Sequence, residues 1–211
     1  RTKIPLRSPA DDGDAEATFL RWIWYAARRE GLHLDESVDA FSDPDLVADA
    51  IRAVVTPVLK LTGEQQRAIE PQATIERYGK GELIQLSGTI PGGVSFILSG
   101  TVLLTADAED GTCAEVGTVE VGGVIGQSAL IRHPVPGSMF ALSEVAVIYV
   151  EREAVERVVR DDPVLQTQFG RSIEQRRLSV LRAIAEDEAS GQAPDGDADF
   201  SPTRGSSPAA H

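Results

Sequence analysis

The chain has little of what builds cofactor and metal chemistry: in 211 residues it holds one cysteine, three histidines and one methionine. With Cys113 alone, neither a disulfide framework nor a cysteine-based metal site can form, which fits a reducing, cytosolic setting. His33, His133 and His211 fall in three separate segments. The convergence of histidines and carboxylates that a small β-roll metalloenzyme needs is therefore missing, and His133, directly before Pro134, reads as a loop residue. No Ser/His/Asp arrangement, phosphate-loop lysine motif or paired carboxylate stands out, so the expectation is a protein that is not an enzyme and carries no cofactor. Long hydrophobic runs are absent too. None approaches the roughly 18 apolar residues of a spanning helix, and no charged start leads into an apolar middle as in a signal peptide. Positive charge is also scarce: 20 Lys and Arg against 33 Asp and Glu leave a net charge of -13, about -3 over residues 1–60, -5 over 61–185 and -5 over 186–211. A surface this acidic repels phosphate backbones and excludes general nucleic-acid binding, while a dedicated site for a small anion stays open.

What is present supports one core of ordinary size with a smaller appended unit, given 42% hydrophobic residues. The chain opens at Arg1 in what reads as mid-strand, and the expectation is a piece of a longer protein. Asp11, Asp12, Gly13 and Asp14 suit a helix start, where carboxylates face the positive end of the dipole, and the helix runs to about Glu30 with Gly31 as its cap. Its apolar face combines Phe19, Trp22, Ile23 and Ala26. Ser42-Asp43-Pro44 opens a second helix with Leu46, Val47, Ala50, Ile51, Val54 and Val58 in one stripe, which Pro57 is expected to kink or end. Thr62 and Gln65 form a capping box for a third helix that stops at Pro71.

Residues 74–150 read differently, as short β-rich runs (74–78, 82–86, 94–98, 101–106, 113–119, 138–142 and 145–150) separated by glycines. About eight strands punctuated in this way indicate a sandwich, roll or barrel, with Asp110-Gly111 as a hairpin turn. Residues 151–160 then read as a short helix. Asp161-Asp162-Pro163 opens a longer one with Leu165, Phe169, Ile173, Leu181 and Ile184 on one face, expected to dock or dimerise. Beyond it, residues 186–211 lack periodicity and read as a disordered acidic tail.

The β-region resembles the cyclic-nucleotide-binding domain family. The matching pieces are Tyr78-Gly79-Lys80-Gly81-Glu82-Leu83-Ile84, Gly88, Phe96-Ile97-Leu98-Ser99-Gly100-Thr101-Val102 and Gly123-Val124-Ile125-Gly126-Gln127-Ser128-Ala129-Leu130. The resemblance implies a mainly β fold with flanking α, a double-stranded β-helix or jelly roll with N-terminal and C-terminal helices, over about residues 61–185. It also implies a phosphate-binding cassette at Gly126, Gln127, Ser128, Ala129 and Leu130, continuing through a loop with Arg132, Val135 and Pro136. In that family a glycine turn into a short helix aims backbone N–H groups at the cyclic phosphate of cyclic AMP or cyclic GMP. A glutamate after the glycine accepts from the ribose hydroxyl, and an arginine further on pairs with the phosphate. Here Gln127 stands for the glutamate and Val135 for the arginine. A charge-assisted contact of that kind is worth roughly 1.5–3 kcal/mol, or about one to two powers of ten in affinity. Gln127 can still bond a hydroxyl, and Arg132 lies in the same loop. The alternative is a surviving structural turn in a domain that signals without ligand or binds something else.

Residues 21–32, Arg21-Trp22-Ile23-Trp24-Tyr25-Ala26-Ala27-Arg28-Arg29-Glu30-Gly31-Leu32, resemble the end of the cytoplasmic α/β domain of small-conductance mechanosensitive channels. The resemblance implies that 1–36 is a fragment of that domain and 37–60 a helical connector. It further implies a parent attached to the cell membrane on its cytoplasmic side and a homo-oligomer in which the aromatics of 21–32 meet missing parts or a neighbouring subunit. A stand-alone cyclic-nucleotide sensor or a ligand-free scaffold domain of a signalling protein is the alternative. A catabolite-activator-type regulator needs a helix-turn-helix that residues 186–211 cannot supply.

Overall fold

In the computed structural model, which describes residues 12–30, 32, 43–107 and 113–190, the glycine-punctuated stretch folds into eight strands. These are β1 (Ala73–Tyr78), β2 (Leu83–Gln85), β3 (Gly93–Ser99), β4 (Val102–Asp107), β5 (Cys113–Val119), β6 (Val124–Ile125), β7 (Ser138–Ala141) and β8 (Val145–Glu151). They form two four-stranded sheets, ordered β1-β8-β3-β6 and β2-β7-β4-β5, with antiparallel pairing throughout. The expected Asp110-Gly111 turn lies outside the described residues, although β4 and β5 pair from Val102↔Val119 to Asp107↔Cys113.

Period-two alternation explains why β3 and β8 read as nearly unbroken apolar runs: both faces of their sheet are covered. Val94, Phe96, Ile148 and Val150 point to one side and pack with helical residues Val47, Ile51, Val55, Leu59, Val155, Leu165 and Phe169. Ile97, Val145 and Val147 point to the other side, against Val102, Leu104, Met139 and Ala141 of the second sheet. Each such side chain, taken fully out of water, is worth roughly 1.5–3 kcal/mol before chain entropy is counted. β5 has no such cover and alternates between exposed and partly buried positions. Gly100 turns β3 into β4 at φ +83°, where an added Cβ would lie 2.2 Å from the Glu144 carbonyl, so only glycine fits the corner.

Helix α1 (Asp12–Arg29) precedes a helical run of α2 (Pro44–Ala50), a π-helical turn (Ile51–Val55) and α3 (Thr56–Leu59). The run does not end at Pro57 but continues to Leu59, with the π-helical turn just ahead of the proline. The widened turn just before it accommodates a residue that has no N–H to give, and the helix stops three residues later at Lys60, which is left-handed at φ 51°. Because Val47, Ile51, Val55 and Leu59 are all in the core, residues 44–59 pack as part of the roll. α4 (Gly63–Ile69) begins with the expected box, Gln65 N donating to Thr62 Oγ1 at 3.3 Å and Thr62 N donating to Gln65 Oε1 at 2.9 Å. α5 (Arg152–Arg160) and α6 (Pro163–Ser190) follow β8, with Asp162 Oδ1 accepting from Val164 N and Leu165 N at the start of α6. α6 runs through Ser190, so the first residues of the expected tail are helical; the remainder of that expectation lies outside the described residues.

Two aromatics of α1, Trp22 and Tyr25, pack on the chain's own roll. Trp22 Nε1 donates to the Lys80 carbonyl at 3.0 Å, Tyr25 is buried, and both rings lie against Gly79. Arg29 donates to the Arg77 carbonyl at 2.5 Å, pairs with the buried Glu82 carboxylate and stacks over the Tyr78 ring at 4.2 Å. Burial and a hydrogen bond to Glu144 push the Tyr25 hydroxyl up to about 12. Trp22 and Tyr25 thus pack against the chain's own 79–82 turn, where the bare backbone of Gly79 admits both rings. Leu20 and Ile23 remain exposed on the opposite face.

Candidate functional site

β6 is only two residues long, yet it aims everything that follows. It pairs with the middle of β3 through Ser95↔Ile125 and Phe96↔Val124. The Gly122-Gly123 turn is tied to the same strand by bonds of 2.9 Å between Ile97 N and Gly123 O and between Gly122 N and Ile97 O. Gly126 then turns left-handed, at φ +77°, into a 3-10 turn over Gln127–Ile131. A Cβ at Gly126 would lie 2.7 Å from Gly93 O and 2.9 Å from Gln85 Nε2, so glycine permits both the turn and the close approach of Gln85. The short turn closes with Ala129 N donating to Gly126 O at 3.0 Å and ends at Arg132, itself left-handed at φ 52°.

The five residues expected to form the cassette are together on this turn. Gln127, Ser128 and Ala129 are buried, and Leu130 packs partly against the core. Arg132 and His133 are exposed beyond it. Val135 is only 3% exposed, with its backbone fixed by Val135 N donating to Thr89 O at 2.8 Å and Gly88 N donating to Val135 O at 3.0 Å; Pro136 is half-buried next to it. The position where an arginine would stand is therefore apolar and closed against the turn at Gly88 and Thr89.

Charge arrives from elsewhere. On α6, Arg176 donates to Gln127 Oε1 at 2.5 Å and to the Val124 carbonyl at 3.1 Å, while Gln127 Nε2 donates to Ser172 Oγ at 3.0 Å. No carboxylate pairs with Arg176 among the described residues, and withdrawal from water pulls its pKa down. Two polar atoms of the same region, Ser128 Oγ and Gln85 Oε1, are buried with no hydrogen-bond partner among the described residues. The face that α6 turns to the roll is the expected one at Leu165, Phe169 and Ile184 and departs from it at Leu181. Leu165 and Phe169 join the helical core, Ser172 and Arg176 meet the cassette, and Val180, Ala183 and Ile184 join the core between the sheets. Leu181, expected on that face, is 49% exposed. Ser172, Arg176 and Gln85 were not singled out from sequence; the available signal was the spacing 165, 169, 172, 176, 180, which sets an arginine in the middle of an apolar stripe.

The model of the cyclic nucleotide-binding domain matches residues 75–162, from β1 through the cassette to the start of α6. That match, over less than half of the chain, supports a cyclic nucleotide-binding domain at residues 75–162. No curated protein matches the chain. Among solved structures it is similar to the regulatory domain of protein kinase A from Toxoplasma gondii with cAMP, at TM-score 0.54 and 16% identity over 63% of this chain and 50% of that one. It is also similar to the regulatory subunit of a cAMP-independent protein kinase A from Trypanosoma brucei, at TM-score 0.55 and 15% identity over 71% of this chain and 53% of that one. The corresponding subunit from Trypanosoma cruzi, bound to guanosine, gives 0.55 and 18% over 69% and 52%. This chain spans about half the length of those structures, and at such identities the likeness is one of fold. The jelly-roll architecture of two four-stranded antiparallel sheets with helices on either side in the chain is as expected. Among the described residues no helix is long and apolar enough to cross a membrane, and no group of three His, Cys, Asp or Glu could hold a metal ion.

Proposed function

We propose that this chain is a non-enzymatic regulatory module whose cassette, residues 126–130, receives a cyclic nucleotide or another small anion and whose α6 reports its arrival. The observation that carries this reading is the direct seam between cassette and helix: Gln127, at the family's ribose-binding position, is held by Ser172 and Arg176. A ligand that engages Gln127 must share or displace those bonds, so its differential affinity for the two arrangements of the seam shifts α6. Calorimetry with cyclic AMP and cyclic GMP tests it. Saturable binding of at least one of the two nucleotides is expected below millimolar concentration. Absence of binding by either nucleotide at millimolar concentration would remove the cassette as a cyclic-nucleotide site.

The parent we favour is a small-conductance mechanosensitive-type channel with this module on the cytoplasmic side of the cell membrane and several copies assembled together. Support comes from the Trp22-Ile23-Trp24-Tyr25-Ala26-Ala27-Arg28-Arg29 segment and from the order of the parts. A stand-alone sensor is the second reading, and it is favoured by one observation: Trp22, Tyr25 and Arg29, which carry the channel likeness, are used in packing α1 on the chain's own roll. Reading the gene upstream of Arg1 discriminates the two, since a channel requires several spanning segments there.

A further inference from the structure

We infer that Arg176 is the anion-recognising residue of this domain, forming with Gln127 and Ser128 a site for the singly charged phosphodiester of a cyclic nucleotide. The inference rests on the reading of residues 126–130 as the ligand site and assigns that site its charge.

The first argument is the company Arg176 keeps. Five other arginines among the described residues pair with carboxylates, Arg29 with Glu82, Arg52 with Asp49, Arg77 with Glu144, Arg152 with Glu153 and Arg177 with Glu174, while Arg67 and Arg157, which bond neutral oxygens, are exposed to water. Arg176, half-buried and drawn out of water, has only the neutral oxygens of Gln127 and Val124. A guanidinium in that situation carries an uncompensated desolvation cost that a bound anion would remove, and its two bonds leave three of five donors for that anion.

Ser128 is the second argument. Its residue is 7% exposed and its hydroxyl has no partner among the described residues, an unusual state for a buried group and one that a ligand oxygen relieves. It immediately follows Gln127, whose side chain already touches Arg176. The third argument is elimination within the cassette: Arg132 is exposed beyond the turn, and Val135 is buried and apolar. With the cation on α6 instead of on the loop, the group that recognises the anion belongs to the element that must respond to it. Gln127 has a matching reason to be neutral, because a glutamate there would neutralise Arg176 directly.

The experiment is calorimetric titration of the full chain with cyclic AMP and cyclic GMP, comparing wild type with Arg176→Met, Arg176→Lys and Gln127→Glu, each checked for folding by its melting curve. Arg176→Met is expected to weaken binding about ten- to a hundred-fold, the worth of a charge-assisted contact, and Arg176→Lys to lose less. Gln127→Glu is expected to weaken binding as well, and it carries the test if Arg176→Met does not fold. Unchanged or tighter binding by Arg176→Met would make Arg176 merely a latch that holds α6 down, and tighter binding by Gln127→Glu would likewise overturn the assignment. Wild type that binds neither nucleotide would remove the reading of the cassette itself, and this proposal with it. A wild type that binds, beside an Arg176→Met variant that binds equally, removes only the role given to Arg176.

Discussion

Replacing Arg29 with methionine isolates the contact that fastens α1 to the roll. Its side chain and that of Glu82 are 19% and 10% exposed, so the pair is well shielded from solvent. Without the guanidinium, the Glu82 carboxylate keeps only the bond it accepts from Gly79 N at 2.8 Å. Breaking a buried pair from one side costs about 3–5 kcal/mol, because a charge is left without its partner. Arg29 also gives up its bond to the Arg77 carbonyl and its place over Tyr78, although methionine still covers part of that ring. The residual exposure of Arg29 puts the cost near the lower end, about 3 kcal/mol. For a chain of this size that corresponds to a fall in Tm of roughly 6–12 °C. Circular dichroism melts at pH 7 measure it, together with the double variant Arg29→Met/Glu82→Gln, which removes the unpaired Glu82 charge and should recover more than half of the loss. A single variant that melts within about a degree of wild type, or a double variant no better than the single, would refute the reasoning.

Three further outcomes follow from the same structure. Gly126→Ala forces a side chain into a left-handed turn and to within 2.7 Å of the Gly93 carbonyl, so urea unfolding should show a loss of about 2 kcal/mol or more. Burial raises the Glu76 carboxyl above its ordinary 4.5, outweighing the bond it accepts from Tyr78 and the nearby Arg29. Between 4.5 and that raised value the native state binds more protons than the unfolded chain, so this group's contribution falls as pH rises. Glu76→Gln, which keeps an acceptor for Tyr78, should therefore melt above wild type at pH 7, with the gap closing below about pH 4 as the wild-type carboxyl becomes protonated in both states. Val180→Asp places a carboxylate at a site 2% exposed between α6 and the sheets, and limited trypsin digestion should then cut at Arg177 and Arg182 much faster than in wild type.

The strands were legible because strand and turn write different signals. Glycines mark the corners, and the runs between them are β-branched and apolar on account of burial from both sides of the β3 and β8 sheet. β6 escaped as a separate strand because two residues carry no period. The course of the chain through Pro57 was not legible either, since the π-helical turn that absorbs the missing donor is set by how Ile51 and Val55 seat in the core. At the candidate site, residues 126–130 could be read from their glycine and spacing. The cation facing them could not, because Arg176 stands 49 positions away from Gln127 and meets it only after α6 folds back over β4 and β5. Choosing the docked face of α6 by its largest apolar residues favours Leu181 over Arg176; the polar seam across the cassette reverses that choice.

Hydrogen exchange of the full chain with and without cyclic AMP tests the joining of cassette and helix most directly. Amides in the turn Gln127–Ile131 and in the part of α6 carrying Ser172, Arg176 and Val180 should change protection together, over the same range of nucleotide concentration. Protection that changes in the turn alone, or in neither segment while the nucleotide binds elsewhere, would contradict it.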